Sequence, residues 1–129
     1  MNDVVLVVED DTSLRRLLAE TLRMEGLAVL EARDAGEASA IALRDLPSVV
    51  ILDVMLPGGP DGLELAGWLR RNAATREARI VVLSDVLFQS DRERAQSAGA
   101  SLILNKPFLP EELVAHVREL MQSAQPYNH

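Results

Sequence analysis

Five residues carry the chemistry open to this chain: Glu9, Asp10, Asp53, Ser84 and Lys106. Each follows directly, or nearly so, on a short apolar run: Val4 to Val8 precedes Glu9-Asp10-Asp11, Val49 to Leu52 precedes Asp53, Ile80 to Leu83 precedes Ser84-Asp85, and Leu102 to Leu104 precedes Asn105-Lys106. Runs of this length, rich in β-branched residues, read as strands buried on both faces of a parallel sheet. Ligands of open α/β sheets bind at the carboxyl ends of the strands, so polar residues placed there are site candidates. Three carboxylates form a cluster of hard oxygen ligands suited to Mg²⁺. With no cation beside them they would repel, and at least one would resist ionisation. A hydroxyl from Ser84 and an ammonium from Lys106 add donors and positive charge for a phosphoryl group. A carboxylate can itself be the nucleophile and become an acyl phosphate.

Each residue also has a plainer reading. An aspartate at a strand end usually caps a helix or makes a turn, which accounts well for Asp11 and poorly for Glu9 and Asp10. Ser84 alone would be a loop hydroxyl and Lys106 a surface charge. Yet every other basic residue in the chain is arginine, so the single lysine marks a place where a compact ammonium is needed.

The 129 residues are the length of one domain, and 48% apolar with 26% charged residues is the balance of a globular protein. The absence of cysteine excludes disulfides, thiolate zinc sites and cysteine nucleophiles. A net charge of −7 argues against a nucleic-acid groove, which needs clustered Lys and Arg. No apolar stretch is long enough to span a bilayer, and Met1-Asn2-Asp3 carries no basic signal region. The expectation is a cytoplasmic protein without membrane contact.

Between the strands the pattern turns helical. Thr12-Ser13 opens a helix with Leu14, Leu17, Leu18 and Leu22 on one face and Gly26 to stop it. A weaker strand at 27–30 follows, then a helix capped by Asp34 and ending before Pro47. Asp61-Gly62 leads into a helix carrying Leu65, Ala66 and Leu69, with Trp68 at the core edge. The segment 91–98 has almost no apolar stripe, and its helix should be short and loosely held. The last helix starts near Pro110 and buries Leu113, Val117, Leu120 and Met121, with His116 on the solvated side. Strands alternating five times with helices predict an α/β fold: a doubly wound, five-stranded parallel sheet in the flavodoxin-like order 2-1-3-4-5, helices on both faces. Residues 1–122 make the domain and 123–129 a frayed tail.

In combination these motifs resemble the receiver domain of bacterial two-component response regulators, in its CheY-like single-domain form. The segments that carry the likeness are Val-Val-Glu9-Asp10-Asp, Ile-Leu-Asp53-Val-Met-Leu-Pro57, Asp61-Gly62, Val-Leu-Ser84, Ala98-Gly99-Ala100 and Lys106-Pro107-Phe108. The resemblance implies that Asp53 accepts a phosphoryl group from a sensor histidine kinase or phosphotransfer protein. It implies Mg²⁺ bound directly by Asp10 and Asp53, through water by Glu9, and by the Met55 backbone carbonyl. Ser84 and Lys106 would hold phosphate oxygens, Ser84 shifting on phosphorylation, and the peptide from Lys106 to Pro107 would be cis. The protein would then catalyse only its own phosphorylation and dephosphorylation. It would act through contact with an unidentified downstream protein, on the face of segment 85–98, the fifth strand and the last helix.

Three departures from the family pattern stand out. Gly58-Gly59-Pro60 lengthens the loop after Pro57 by one residue, and Asp85 replaces the usual small residue after Ser84. Ile103 takes the place of the switch aromatic, so the ordinary hydroxyl-to-aromatic coupling is lost and output shifts toward 85–98. Two other readings compete. A degenerate receiver would serve as a docking domain without phosphorylation. A Mg²⁺-dependent aspartyl-phosphate phosphatase would need a second Asp where Met55 stands. A dinucleotide-binding domain would need a Gly-x-Gly-x-x-Gly after the first strand, and none is present. Met55 and Val86, at family positions flanking the phosphate, are apolar and would not orient an attacking water, so self-dephosphorylation should be slow. Polar residues introduced together at 55 and 86 should speed loss of phosphate, followed as decay of the phospho-adduct mass; an unchanged decay rate would refute the idea.

Overall fold

The computed structural model describes residues 2–56, 58, 61–85 and 89–122, with backbone alone at 2 and 89–91. The expected tail at 123–129, most of the lengthened loop (Pro57, Gly59 and Pro60) and Val86 lie outside these residues. In chain order the elements are β1 (Asn2–Val8), α1 (Thr12–Met24), β2 (Ala28–Ala32), α2 (Ala35–Asp45), β3 (Pro47–Asp53), α3 (Gly62–Arg71), β4 (Arg79–Ser84), α4 (Gln89–Ser97), β5 (Leu102–Asn105) and α5 (Pro110–Gln122). The strands form one parallel sheet in the order β2-β1-β3-β4-β5. The expected order is therefore the observed one. Among the described residues no helix is long and apolar enough to cross a membrane.

Because side chains alternate along a strand, the apolar runs feed two cores. Val5, Val7, Val49, Ile51, Val81 and Leu83 pack with Leu18, Leu22, Leu113 and Val117 of α1 and α5. Leu6, Val8, Val50, Leu52, Ile80 and Val82 pack with Ala38, Ala42, Leu65, Ala66 and Leu69 of α2 and α3, and with Ala95 of α4. Each fully buried Val, Leu or Ile side chain among them stabilises the fold by about 1.5–3 kcal/mol, and each alanine by less. Asp11, Asp34 and Asp61 cap α1, α2 and α3. Asp61 does so in a reciprocal capping box, accepting from Glu64 N–H at 2.9 Å while the Glu64 carboxylate accepts from Asp61 N–H at 3.2 Å.

Several helical details differ from expectation. Leu17 is 52% exposed, and the buried face of α1 instead holds Arg15 with Leu18, Ala19 and Leu22. In α5, Val114 joins Leu113 and Val117 in the core, while Leu120 and Met121 only flank it. His116 is half-buried. The helical stripe is a wide arc, and tertiary packing decides which of its edges is covered. As expected, α4 is short and sparsely packed, with Ala95 its buried side chain among those described.

Gly62 joins fold and site. Its N–H donates to the Val54 carbonyl at 2.9 Å, and the start of α3 lies so close to β3 that a Cβ there would overlap the Asp53 carbonyl. Gly62→Ala should therefore cost about 1–3 kcal/mol through overpacking, read by urea denaturation; a variant as stable as the parent would show that the contact relaxes freely.

Candidate functional site

The carboxyl edge of the sheet collects the residues that the sequence singled out. Just past β1, Glu9 continues the row of Val5 and Val7; on β3, Asp53 continues Val49 and Ile51; past β5, Lys106 continues Leu104. All three thus lie on the α1/α5 side of the sheet. Ser84 continues the row of Ile80 and Val82 on the other side, paired in register with Asn105. Glu9, Asp53 and Ser84 are buried.

The Lys106 ammonium donates to Asp53 Oδ2 and lies 3.6 Å from Glu9 Oε1. The second oxygen, Asp53 Oδ1, accepts from the Met55 N–H at 2.8 Å. Glu9 Oε2 accepts from the Asp11 N–H at 3.1 Å. Glu9 Oε1 is buried with no hydrogen-bond partner. Burial, reinforced by the neighbouring Asp53 carboxylate, pushes the Glu9 carboxyl up to about 7, although the Asp11 N–H and Lys106 pull it down. Burial works to lower the Lys106 ammonium, but its hydrogen bond to Asp53 and the charges of Asp53, Glu9 and Asp85 outweigh that and raise it.

Of the expected acids, Asp10 is exposed at the rim. Among the described residues no three His, Cys, Asp or Glu side chains converge as a ready metal-ligand group; what converges is Glu9 and Asp53 with the lysine. Met55 is 73% exposed beside Asp53. Ile103 is half-buried against the core on the α2/α3 side, and the Lys106-Pro107 peptide is cis, as the resemblance implied.

One contributor escaped the sequence reading. Arg15 is buried, donates from Nη1 to the Glu9 carbonyl at 3.0 Å and pairs through Nε with Glu31 Oε1 at 3.2 Å. With the Glu9 N–H donating to the Ala32 carbonyl at 3.0 Å, it ties the acidic loop to β2. The available signal was an arginine on the same helical arc as Leu18 and Ala19, with an acid on the adjacent strand to receive it.

A family model described as the response regulator receiver domain matches residues 5–118. Phosphate regulon transcriptional regulatory protein PhoB of Klebsiella pneumoniae is 36% identical over 122 residues, which is 95% of this chain and 53% of PhoB. Response regulator MprA of Mycolicibacterium vanbaalenii is 37% identical over 122 residues, 95% of this chain and 52% of MprA. The chain spans about half the length of these curated relatives. Among solved structures, a putative response regulator from Chloroflexus aurantiacus superposes with a TM-score of 0.87 at 32% identity, covering 95% of this chain and 100% of that one. Chemotaxis protein CheY4 of Vibrio cholerae gives 0.86 at 29%, covering 93% and 99%.

The raised Glu9 carboxyl sets a pH dependence. Its protonated form is favoured by folding, so its contribution is complete below about pH 4.5 and is lost as pH rises through about 7. In buffer containing a chelator, Glu9→Gln should gain about 1–3 kcal/mol on the parent between those two pH values, measured by urea melts. A difference that stayed flat with pH would show that Glu9 ionises without penalty.

Proposed function

Since the chain belongs to the response regulator receiver domain family, which is not a classical enzyme family, we propose that Asp53 is its phospho-acceptor. The observation that carries this reading is the burial of Asp53 at the end of the central strand with the only lysine of the chain on its Oδ2 and the Met55 N–H on its Oδ1. Those two donors fix the carboxylate plane, which would orient an Asp53 oxygen for in-line attack on a docked phosphoryl group. Receiver domains interact with histidine kinases or phosphotransfer proteins, and the donor is taken to be one of these. The new bond joins an Asp53 oxygen to phosphorus; the phosphorus–nitrogen bond of the donor histidine breaks, and its electron pair returns to the imidazole nitrogen, which takes a proton. Lys106, which holds Asp53 Oδ2, would pair with a phosphoryl oxygen, and the Ser84 hydroxyl at the end of the neighbouring strand would turn to donate to another.

Mg²⁺ fits the residues present. The donor set of Glu9, Asp10, Asp53 and the Met55 carbonyl is all oxygen, and the orphaned, buried Glu9 Oε1 supplies an unused acceptor. Bound there, Mg²⁺ would neutralise charge that accumulates on the phosphoryl oxygens. The phosphoryl group carries about −1.5 to −2 charge where the Asp53 carboxylate carried about one negative unit, and the sparsely packed α4 is the element we expect to respond by changing a protein-binding face. Self-phosphorylation and its reversal are the chemistry proposed for the chain, with no second substrate.

Incubation with acetyl phosphate, with and without Mg²⁺, followed by intact mass, tests the reading on the parent and on Asp53→Asn. A metal-dependent adduct of one phosphoryl group, absent from the variant, is the expected result. Failure of the parent to form any adduct while Mg²⁺ still binds would overturn it in favour of a docking domain that works without phosphorylation.

A further inference from the structure

The role of Asp85 is left open by everything above. Ser84 and Asn105 are register partners, and the Lys106 N–H donates to the Ser84 carbonyl at 2.8 Å, so residues 85 and 106 leave the sheet side by side. By alternation, Asp85 continues the row of Val81 and Leu83 on the α1/α5 side, the row of sites occupied by Glu9, Asp53 and Lys106. It is exposed, and its charge acts on Lys106. One ammonium is thereby shared among three carboxylates, Asp53, Glu9 and Asp85, with exposed Asp10 and Asp11 on the adjacent loop. An incoming phosphodonor must approach Asp53 through this field.

Resting on the phospho-acceptor reading, we propose that Asp85 is a specificity residue: its carboxylate disfavours small dianionic phosphodonors and reserves Asp53 for carriers that bring positive charge to the sheet edge. Acetyl phosphate arrives as a dianion; Asp53 attacks phosphorus, the bond from phosphorus to the acetyl oxygen breaks, and acetate leaves with the electron pair. Phosphoramidate arrives near neutral pH with its nitrogen protonated and a net charge of one negative unit. Its phosphorus–nitrogen bond breaks and ammonia leaves with the electron pair. Repulsion from Asp85 is about half as large for the second donor, because Coulomb energy scales with the charge product. A protein donor that surrounds its phosphohistidine with Lys or Arg would feel attraction instead. Asp85 touches neither the phosphoryl group nor Asp53 in this scheme and acts through the field alone.

The test compares the parent, Asp85→Asn and Asp85→Ala at fixed Mg²⁺, timing phospho-adduct formation by intact mass with each donor. The asparagine keeps the size and removes the charge. At an ionic strength of about 0.01 M both variants should react about three- to fivefold faster than the parent with acetyl phosphate and less than twofold faster with phosphoramidate. The gain should fade toward unity near 1 M salt. Equal rates for parent and Asp85→Asn, or a gain seen only in Asp85→Ala and insensitive to salt, would overturn the proposal, the second by showing that bulk obstructs and not charge. Absence of any adduct in all three proteins with both donors would be the different failure, that of the phospho-acceptor reading, and the proposal would fall with it.

Discussion

Two carboxylates buried side by side at the edge of a parallel sheet are the constraint on which this structure turns. Glu9 and Asp53 are each almost inaccessible, and charges taken out of water at such a distance cost several kcal/mol apiece unless they are paired. The Glu9 carboxyl stays raised to about 7, so the ammonium of Lys106 offsets only part of that cost. Its position dictates much else: β5 is separated from β3 by β4, two strand spacings of about 4.8 Å each, so a long, unbranched stem is needed to reach Asp53 across β4. A lysine meets that need with a compact charge that can contact both acids at once. An arginine would bring a broad planar fork that suits one carboxylate better than two.

The backbone is fitted to this charge pair from two sides. Glu9 is anchored by the Ala32 carbonyl and by Arg15, itself fixed through Glu31. Asp53 is held by the Met55 N–H and by the close approach of Gly62, whose helix is started by the Asp61 and Glu64 box. Both carboxylates are therefore pre-positioned by hydrogen bonds that do not involve a ligand. Preorganisation of this kind lowers the reorganisation needed when charge develops on an incoming group.

Stability is distributed unevenly around that edge. The strands and the faces of α1, α3 and α5 are buried in two continuous cores, whereas α4 contributes Ala95 alone among its described side chains. Segments with few buried contacts open at the lowest free energy. A change of charge at the proposed phospho-acceptor Asp53 would thus find its weakest neighbour in α4, tied across by the Arg94 to Asp61 ion pair at 3.6 Å. Ile103, half-buried against the core on the α2/α3 side, brings no aromatic side chain to that region.

By itself the sequence determined the order of strands and helices, the doubly wound sheet and the presence of Glu9, Asp53, Ser84 and Lys106 at strand ends. Apolar runs and the polar residue that stops each are local signals that survive without knowledge of neighbours. The caps at Asp11 and Asp34 were legible for the same reason, while the capping box at Asp61 emerged from the structure. Only the tertiary structure decided that Asp10 stays at the rim while Lys106 joins Glu9 and Asp53, because that depends on strand order, register and side-chain reach. It also decided that Arg15 is buried and Leu17 exposed: the two flank the Leu18 and Leu22 stripe on opposite sides, and α1 turns the Arg15 side toward Glu31 and the Glu9 carbonyl, where a guanidinium has partners. The action of the Asp85 charge on Lys106 belongs to the same class, since the two are distant in the chain and are brought side by side by the register of β4 and β5.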